Sequence, residues 1–359
     1  MFRRLVRVED LRPSRTYRFL AMGFAVAVHM GTVVVLAAGL VLVVALPRTV
    51  AGWLFGPMLM YLAYTLRPRI PKADDDVRVV ERVDAPELYG LLDEIAARQG
   101  ARAVDLVTLT TGGNAATGAY GWRGERRLSI GVPLWTVLTP QQRLAILAHE
   151  VAHGVDGSLQ RRLVGVTALD TLHRWYEVAH PLTSARILRS RPPKLRNLVD
   201  VIVPLHLVYR GGESIYRRSQ PRAEYLADQL AAEIAGTEAM IGALEQLPTS
   251  HAAMEMLHRA VDARVPSHPW RLVADFAAGL PGEERERLAV EDAARGACAD
   301  ATHPPTHLRI RMLRERGERR RKLRVGAVRV DAGRAERIEA ELAPGAAWLA
   351  GQVTAWARR

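Results

Sequence analysis

Phe19 to Leu46 is a run of 28 residues with no charged side chain, broken in character only by His29. At about 1.5 Å per residue, a helix of that length crosses a bilayer core with length to spare. After Pro47-Arg48-Thr49 a second uncharged run extends from Val50 to Leu66, near the lower limit for spanning. Two such runs joined by three residues predict a two-helix transmembrane hairpin over 19–66. A cleaved secretory signal fits poorly, because the first run is too long and a second follows at once. The N-terminal flank, residues 1–18, carries six Arg; the turn carries Arg48 alone; the far flank carries Arg67, Arg69, Lys72, Arg78 and Arg82. Both ends are therefore expected inside and the turn outside. That predicts a multi-pass protein of the inner (cytoplasmic) membrane, with the remaining chain facing the cytoplasm. His29 reads best as a packing partner for a backbone carbonyl within the bundle, although polar groups at that depth are often functional.

The net charge of +12 is concentrated at two places. Residues 1–18 hold a surplus of four positive charges and residues 309–324 a surplus of seven, so the bulk of the chain is nearly neutral. A nucleic-acid binder spreads basic residues over a folded face, and no nucleic-acid partner is expected. The 309–324 run fits anionic lipid headgroups and a solvated helix equally well, with Glu315 and Glu318 interleaved. Cys298 is the single cysteine, which excludes an intramolecular disulfide and a Cys-based structural metal site.

Residues 67–325 read as a mainly helical α+β domain with a small antiparallel sheet. Asp84 is placed to cap a helix with Pro86 in its first turn, Leu88, Leu91, Leu92 and Ile95 buried, and Gly100 at its end. Val104–Thr110, Asn114–Tyr120 and Arg127–Ile130 read as strands, the last two joined through the Gly121–Gly124 turn. The next helix carries the clearest start signal in the chain: Thr139 as cap, Pro140 in the first turn and Gln142 closing a capping box. In the tail, 326–359, Pro344-Gly345 predicts two short helices, the second with Trp348, Leu349, Val353 and Trp356 on one side.

The capped helix contains His149-Glu150-Val151-Ala152-His153. Histidines four apart share a helix face, so both imidazoles can bind one zinc ion. Glu150 beside them can take a proton from the attacking water and deliver it to a leaving amine. Ala145, Ile146, Leu147, Ala148, Val151 and Ala152 make the surrounding helix apolar, and ionisable groups in such a setting need a reason. A catalytic zinc needs a third protein ligand and an open position. Glu224, in Glu224-Tyr225-Leu226-Ala227-Asp228, is the best candidate; Asp228, four residues on, can accept a hydrogen bond from the far nitrogen of His149 or His153.

With these segments in hand, the chain resembles the integral-membrane zinc metallopeptidase family of HtpX and the CAAX prenyl endopeptidases. The resemblance covers about residues 70–315 and rests on four segments in order: Asn114-Ala115-Ala116-Thr117-Gly118, the motif at 149–153, the segment at 224–228, and Thr302-His303-Pro304 with Arg309. It implies a zincin-like gluzincin domain with one zinc per chain, held by His149, His153 and Glu224, with Glu150 as general base and Asp228 behind the ligands. It also implies that an extended polypeptide substrate lies against the strand at Asn114 and Ala115. His303 would stabilise the oxyanion, a structural turn being the plainer reading, and Arg309 would pair with a carboxylate near Glu224 or Asp228. One departure stands out. Relatives carry two further spans between the two zinc segments, whereas in 159–212 the longest uncharged run is Val201 to Tyr209, too short to span. That segment reads as a cover over the core, or alternatively as an interfacial or re-entrant piece.

These expectations combine into a zinc endopeptidase anchored in the bilayer through 19–66 and acting on unfolded or membrane-associated polypeptides. A zinc-binding, non-hydrolytic membrane scaffold and a sensor-type membrane metalloprotease are the rival readings.

Overall fold

The long uncharged run becomes one helix, α1 (Arg15–Ala45), in the computed structural model. The structure describes residues 15–69, 77–120, 124–155, 158–179, 210–212, 222–265, 267–296, 304–319 and 326–356. The described residues divide into two units, one holding 15–69, 160–179 and 210–212, the other holding those from 77 to 159 and from 222 onward.

In the first unit, Phe19–Ala45 is long and apolar enough to cross a membrane, the one such helix among the described residues. Phe19, Val34, Val41 and Val44 on it are exposed. The second uncharged run gives a shorter helical stretch than the first. It folds as a π-helical turn, Ala51–Phe55, followed by the ten-residue α2 (Gly56–Thr65). Glycines let α2 lie directly on α1: a Cβ at Gly39 would sit 2.9 Å from the Gly56 carbonyl oxygen, and one at Gly56 only 2.5 Å from Val43 Cγ2. Helix α6 (Ser158–Ala179) belongs to this unit, with Ala168, Thr171 and Leu172 buried. His29 Nε2 faces the Thr167 Oγ1 hydroxyl across 3.4 Å, a side-chain partner. The Val201–Tyr209 run lies outside the described residues.

The second unit is built on a four-stranded sheet, β1 (Arg78–Val80), β2 (Leu106–Thr110), β3 (Ala115–Tyr120) and β4 (Glu125–Gly131), in the order β1-β2-β4-β3. The expected antiparallel sheet is in fact mixed: β2 and β4 run parallel, while β1–β2 and β3–β4 are antiparallel. The reason is where the β3–β4 hairpin docks. It inserts β4 beside β2, which leaves β3 at the edge and forces residues 111–114 across the end of β4. Gly131 permits the crossing, because a Cβ there would fall 2.0 Å from the Gly112 carbonyl oxygen. Its N–H donates to the Asn114 carbonyl at 3.0 Å.

Helices α3 (Pro86–Gln99), α4 (Val132–Val137) and α5 (Pro140–Ala152) follow the apolar spacing of the sequence. Gly100, at φ 64°, ends α3 in the left-handed conformation that glycine adopts without strain. Thr139 and Gln142 cap α5 reciprocally. The start of α3 differs from expectation. Ala85, not Asp84, occupies the cap and supplies no side-chain bond. The carboxylate of Glu341 serves instead, accepting from the N–H groups of Glu87 and Leu88 at 2.8 and 2.9 Å.

The remaining helices are α7 (222–235), α8 (Thr237–Asp262), α9 (Pro269–Gly279), α10 (Gly282–Gly296), α11 (Thr306–Arg319) and α12 (Ala332–Trp356). α8 is the central one and touches α4, α5, α9, α10 and α11. α12 is a single helix running through Pro344, not the two short helices expected, and it packs along α3, α9, β1 and β2. A Cβ at Gly345 would come within 2.7 Å of Leu109 Cδ1, so the segment read as a break lies directly against the sheet. Leu349 and Val353 are buried in the common core with Leu88, Leu92, Leu128, Leu144 and Leu244. Glu339 accepts from Trp135 Nε1 and from Arg143 Nη1, both at 2.9 Å, tying α12 to α4 and α5.

A carboxylate at a helix N-terminus meets the positive end of the dipole and unsatisfied N–H groups at once. Glu341→Ala should therefore cost about 1–2 kcal/mol, read as a fall of a few degrees in Tm of the detergent-solubilised chain.

Candidate metal centre

The α5 helix turns its last two turns inward. His149, Glu150 and His153 are 4, 7 and 6% exposed, on a segment bounded by the fully buried Leu144, Ala145, Ala148 and Val151. α7 brings Glu224 and Asp228, both wholly buried, against them. The capping box fixes where α5 begins, and the i, i+4 spacing then sets the two imidazoles on one face.

His149 Nε2 lies 3.4 Å from Glu224 Oε2, and His153 Nε2 lies 3.5 Å from Glu224 Oε1. The imidazole planes are at 89° with centroids 4.9 Å apart. One ligand atom from each of His149, His153 and Glu224 falls within 4.8 Å of the others, the one such group of three among the described residues. Two ligands about 2.05 Å from one tetrahedral ion stand about 3.3 Å apart, close to the two His–Glu224 separations. His149 Nδ1 is 2.9 Å from Asp228 Oδ1. With its proton directed there, Nε2 presents a lone pair to a carboxylate oxygen, and two acceptors facing each other need a proton or cation between them. The donor set therefore fits the metal.

The charges behind the ligands are balanced in a chain. Arg309, from α11, donates to Asp228 through Nε at 2.8 Å and Nη2 at 2.5 Å, and Nη2 lies 3.9 Å from Glu224 Oε2. Burial works against ionisation of Asp228, but the Arg309 charge and hydrogen bonds, with His149 behind them, hold its pKa below the usual carboxylate range. Burial likewise disfavours charged His149, yet its hydrogen bonds to Asp228 and Glu224 prevail and carry its pKa to about 9. Burial first, and then the Asp228 charge, push Tyr225 up to about 12, so its phenol stays neutral.

The residues singled out from sequence thus divide. His149, His153 and Glu224 converge; Glu150 is buried next to them; Asp228 and Arg309 stand directly behind. Ala115 opens the edge strand β3, paired with Ile130, and Asn114 is exposed just before it, its Oδ1 accepting from the Ala115 N–H. His303 lies outside the described residues. Sequence reading missed Thr117 and Arg126, whose side chains both donate to the main-chain carbonyl of Glu150, at 3.1 and 3.0 Å. The signal available for Arg126 was its place in the alternation with Leu128 and Ile130.

Comparison with known proteins gives a consistent picture. The model of Peptidase family M48 matches residues 91–317, more than half of the chain. Protease HtpX of Pseudomonas putida strain GB-1 is 26% identical over 202 residues, 55% of this chain and 61% of that protein. Protease HtpX of Pseudomonas putida strain W619 gives the same identity and coverage. The match thus spans about three fifths of the length of these curated relatives. No solved structure matches the chain.

Arg309→Met leaves the Asp228 carboxylate buried without its cation. Breaking a buried pair from one side costs about 3–5 kcal/mol; chemical denaturation of the purified variant should show that loss, with Arg309→Lys in between.

Proposed function

The chain belongs to peptidase family M48, and from that premise we propose that it is a membrane-anchored zinc endopeptidase cleaving unfolded or membrane-associated polypeptides. The observation that carries the reading is the buried convergence of His149, His153 and Glu224 with Glu150 on the same helix. His149, His153 and Glu224 hold the ion. Zinc, when bound, supplies Lewis acidity, polarising the scissile carbonyl and making the attacking water more acidic.

Everything else falls to the chain's own side chains. Glu150 takes a proton from the attacking water as its oxygen bonds to the carbonyl carbon. When the C–N bond breaks, Glu150 gives that proton to the departing amine, so the base is restored. Asp228 holds the His149 Nδ1 proton, which fixes the tautomer and keeps Nε2 available as a ligand. Arg309 offsets the negative charge of Asp228 and Glu224. The substrate main chain lies extended along the free edge of β3 near Asn114 and Ala115, where strand pairing binds backbone with little regard to side chains. His303 donates to the developing oxyanion.

Residues 19–66 anchor the chain as a helical hairpin, with Arg-rich flanks holding both ends on the cytoplasmic side of the inner membrane. The chain is thereby divided into a basic N-terminus (1–18), the hairpin, a peptidase domain (67–325) and a helical tail. The apolar α1 and the basic flanks support this arrangement.

Glu150→Gln removes the base and keeps the ligands. Purified in detergent, wild type and Glu150→Gln should each bind about one zinc per chain, and only wild type should cleave casein. Zinc in both with cleavage by neither points to a non-hydrolytic scaffold, and zinc in neither overturns the site. For the anchor, Thr49→Cys in a Cys298→Ser background should react with an impermeant maleimide in sealed right-side-out vesicles; protection there reverses the orientation.

A further inference from the structure

We propose that Arg126 is a positioning residue for the metal centre: with Thr117, its guanidinium clamps the last turn of α5 so that His153 keeps its place beside His149 and Glu224. The inference rests on the metallopeptidase reading above.

The helical residues of α5 end at Ala152, so His153 is already the capping position. The carbonyls of the last turn have no partners within the helix. The Gly154 N–H, which would ordinarily reach back to the Glu150 carbonyl, bonds instead to that of Val151 at 3.0 Å. One ligand therefore sits where the helix no longer holds its own geometry. Arg126 and Thr117 supply what is missing. Arg126 Nη2 donates to the carbonyls of both Glu150 and Val151, and Thr117 Oγ1 donates to that of Glu150. Arg126 Nη1 is fixed from the other side by the Arg102 carbonyl. A guanidinium at a helix C-terminus also meets the negative end of the dipole.

The position is unusual for an arginine. Along β4, residues 126, 128 and 130 face the core, and Arg126 is 1% exposed where Leu128 and Ile130 are ordinary core residues. Among the described residues it forms no salt bridge to a carboxylate; the hydrogen-bond acceptors of its guanidinium are main-chain carbonyls. Desolvation pushes its pKa down to about 10 against the opposing pull of Glu150 and Asp105. An aliphatic residue would avoid that penalty but leave the helix end unheld. The chain makes room for the guanidinium at Gly154, where a Cβ would fall 2.3 Å from Arg126 Cζ. Arg126 and Gly154 are thus two halves of one device, and it joins the β3–β4 hairpin to the metal helix.

The test is zinc affinity of the full-length chain in detergent, measured by competition with a chelator, beside thermal unfolding of the zinc-free form. Arg126→Met should weaken zinc about 10- to 100-fold, the range for residues that orient metal ligands. Gly154→Ala, which displaces the same guanidinium, should do likewise. The double variant should bind no more weakly than the poorer single, and Arg126→Lys should fall between. Leu349→Ala, a core truncation in α12, should lower Tm and leave zinc affinity unchanged. Wild-type affinity in Arg126→Met, or losses that multiply in the double variant, overturns the inference while leaving the peptidase reading intact. If Arg126→Met does not fold, Gly154→Ala and Arg126→Lys decide it on the same criterion. A wild type that binds no zinc overturns both.

Discussion

Asp228 is a carboxylate with no exposure to solvent, and the second unit is organised around keeping it charged. A buried ion without partners is so unfavourable that it neutralises or disrupts its surroundings. Here Arg309 grips it from one side and His149 from the other. Three helices far apart in sequence, α5, α7 and α11, are thereby held to one another by polar contacts rather than by apolar packing alone. The geometry that satisfies Asp228 also turns the imidazole of His149 toward Glu224. Stability and site geometry are therefore the same interaction seen from two ends, and a change to either helix face alters both.

Much of this centre was legible in the sequence because it is local. A capping box, a pair of histidines four apart and a Glu-Asp pair four apart are determined within single helices, where spacing translates directly into a shared face. What escaped the reading is set by contacts across long stretches of chain. Strand order cannot be read from strand propensity, so the insertion of β4 between β2 and β3, and with it the parallel pair, was invisible. The true N-terminal cap of α3 comes from Glu341, more than 250 positions from Glu87 in the numbering. Pro344-Gly345 carries a strong local break signal, yet tertiary packing against the sheet carries the helix through it. Arg126 lies one residue before the expected strand Arg127–Ile130, and its alternation with Leu128 and Ile130 gains meaning only once the fold shows which face of β4 is buried.

The sheet and the C-terminal helix play complementary parts around α5. β3 and β4 meet the end of α5 through Thr117 and Arg126, while α12 meets its beginning through the Glu339–Arg143 pair. α12 lies beyond residue 317, where the family match ends. In this chain the helix carrying the histidines is thus supported at one end by elements within the matched region and at the other by an element outside it.

The connection between the two halves of the site has a thermodynamic corollary. His153 and Glu224 are separated by residues 154–223, of which the described 160–179 and 210–212 belong to the first unit. With one cysteine, the chain cannot form a cross-link of its own. An ion shared by α5 and α7 would act as one while bound, closing a loop of about 70 residues and stabilising the native state through its binding free energy. Metal occupancy would then be coupled to folding: with both ends of the intervening segment tied to one ion, unfolding would require its release, and the stability of the chain would rise with free metal.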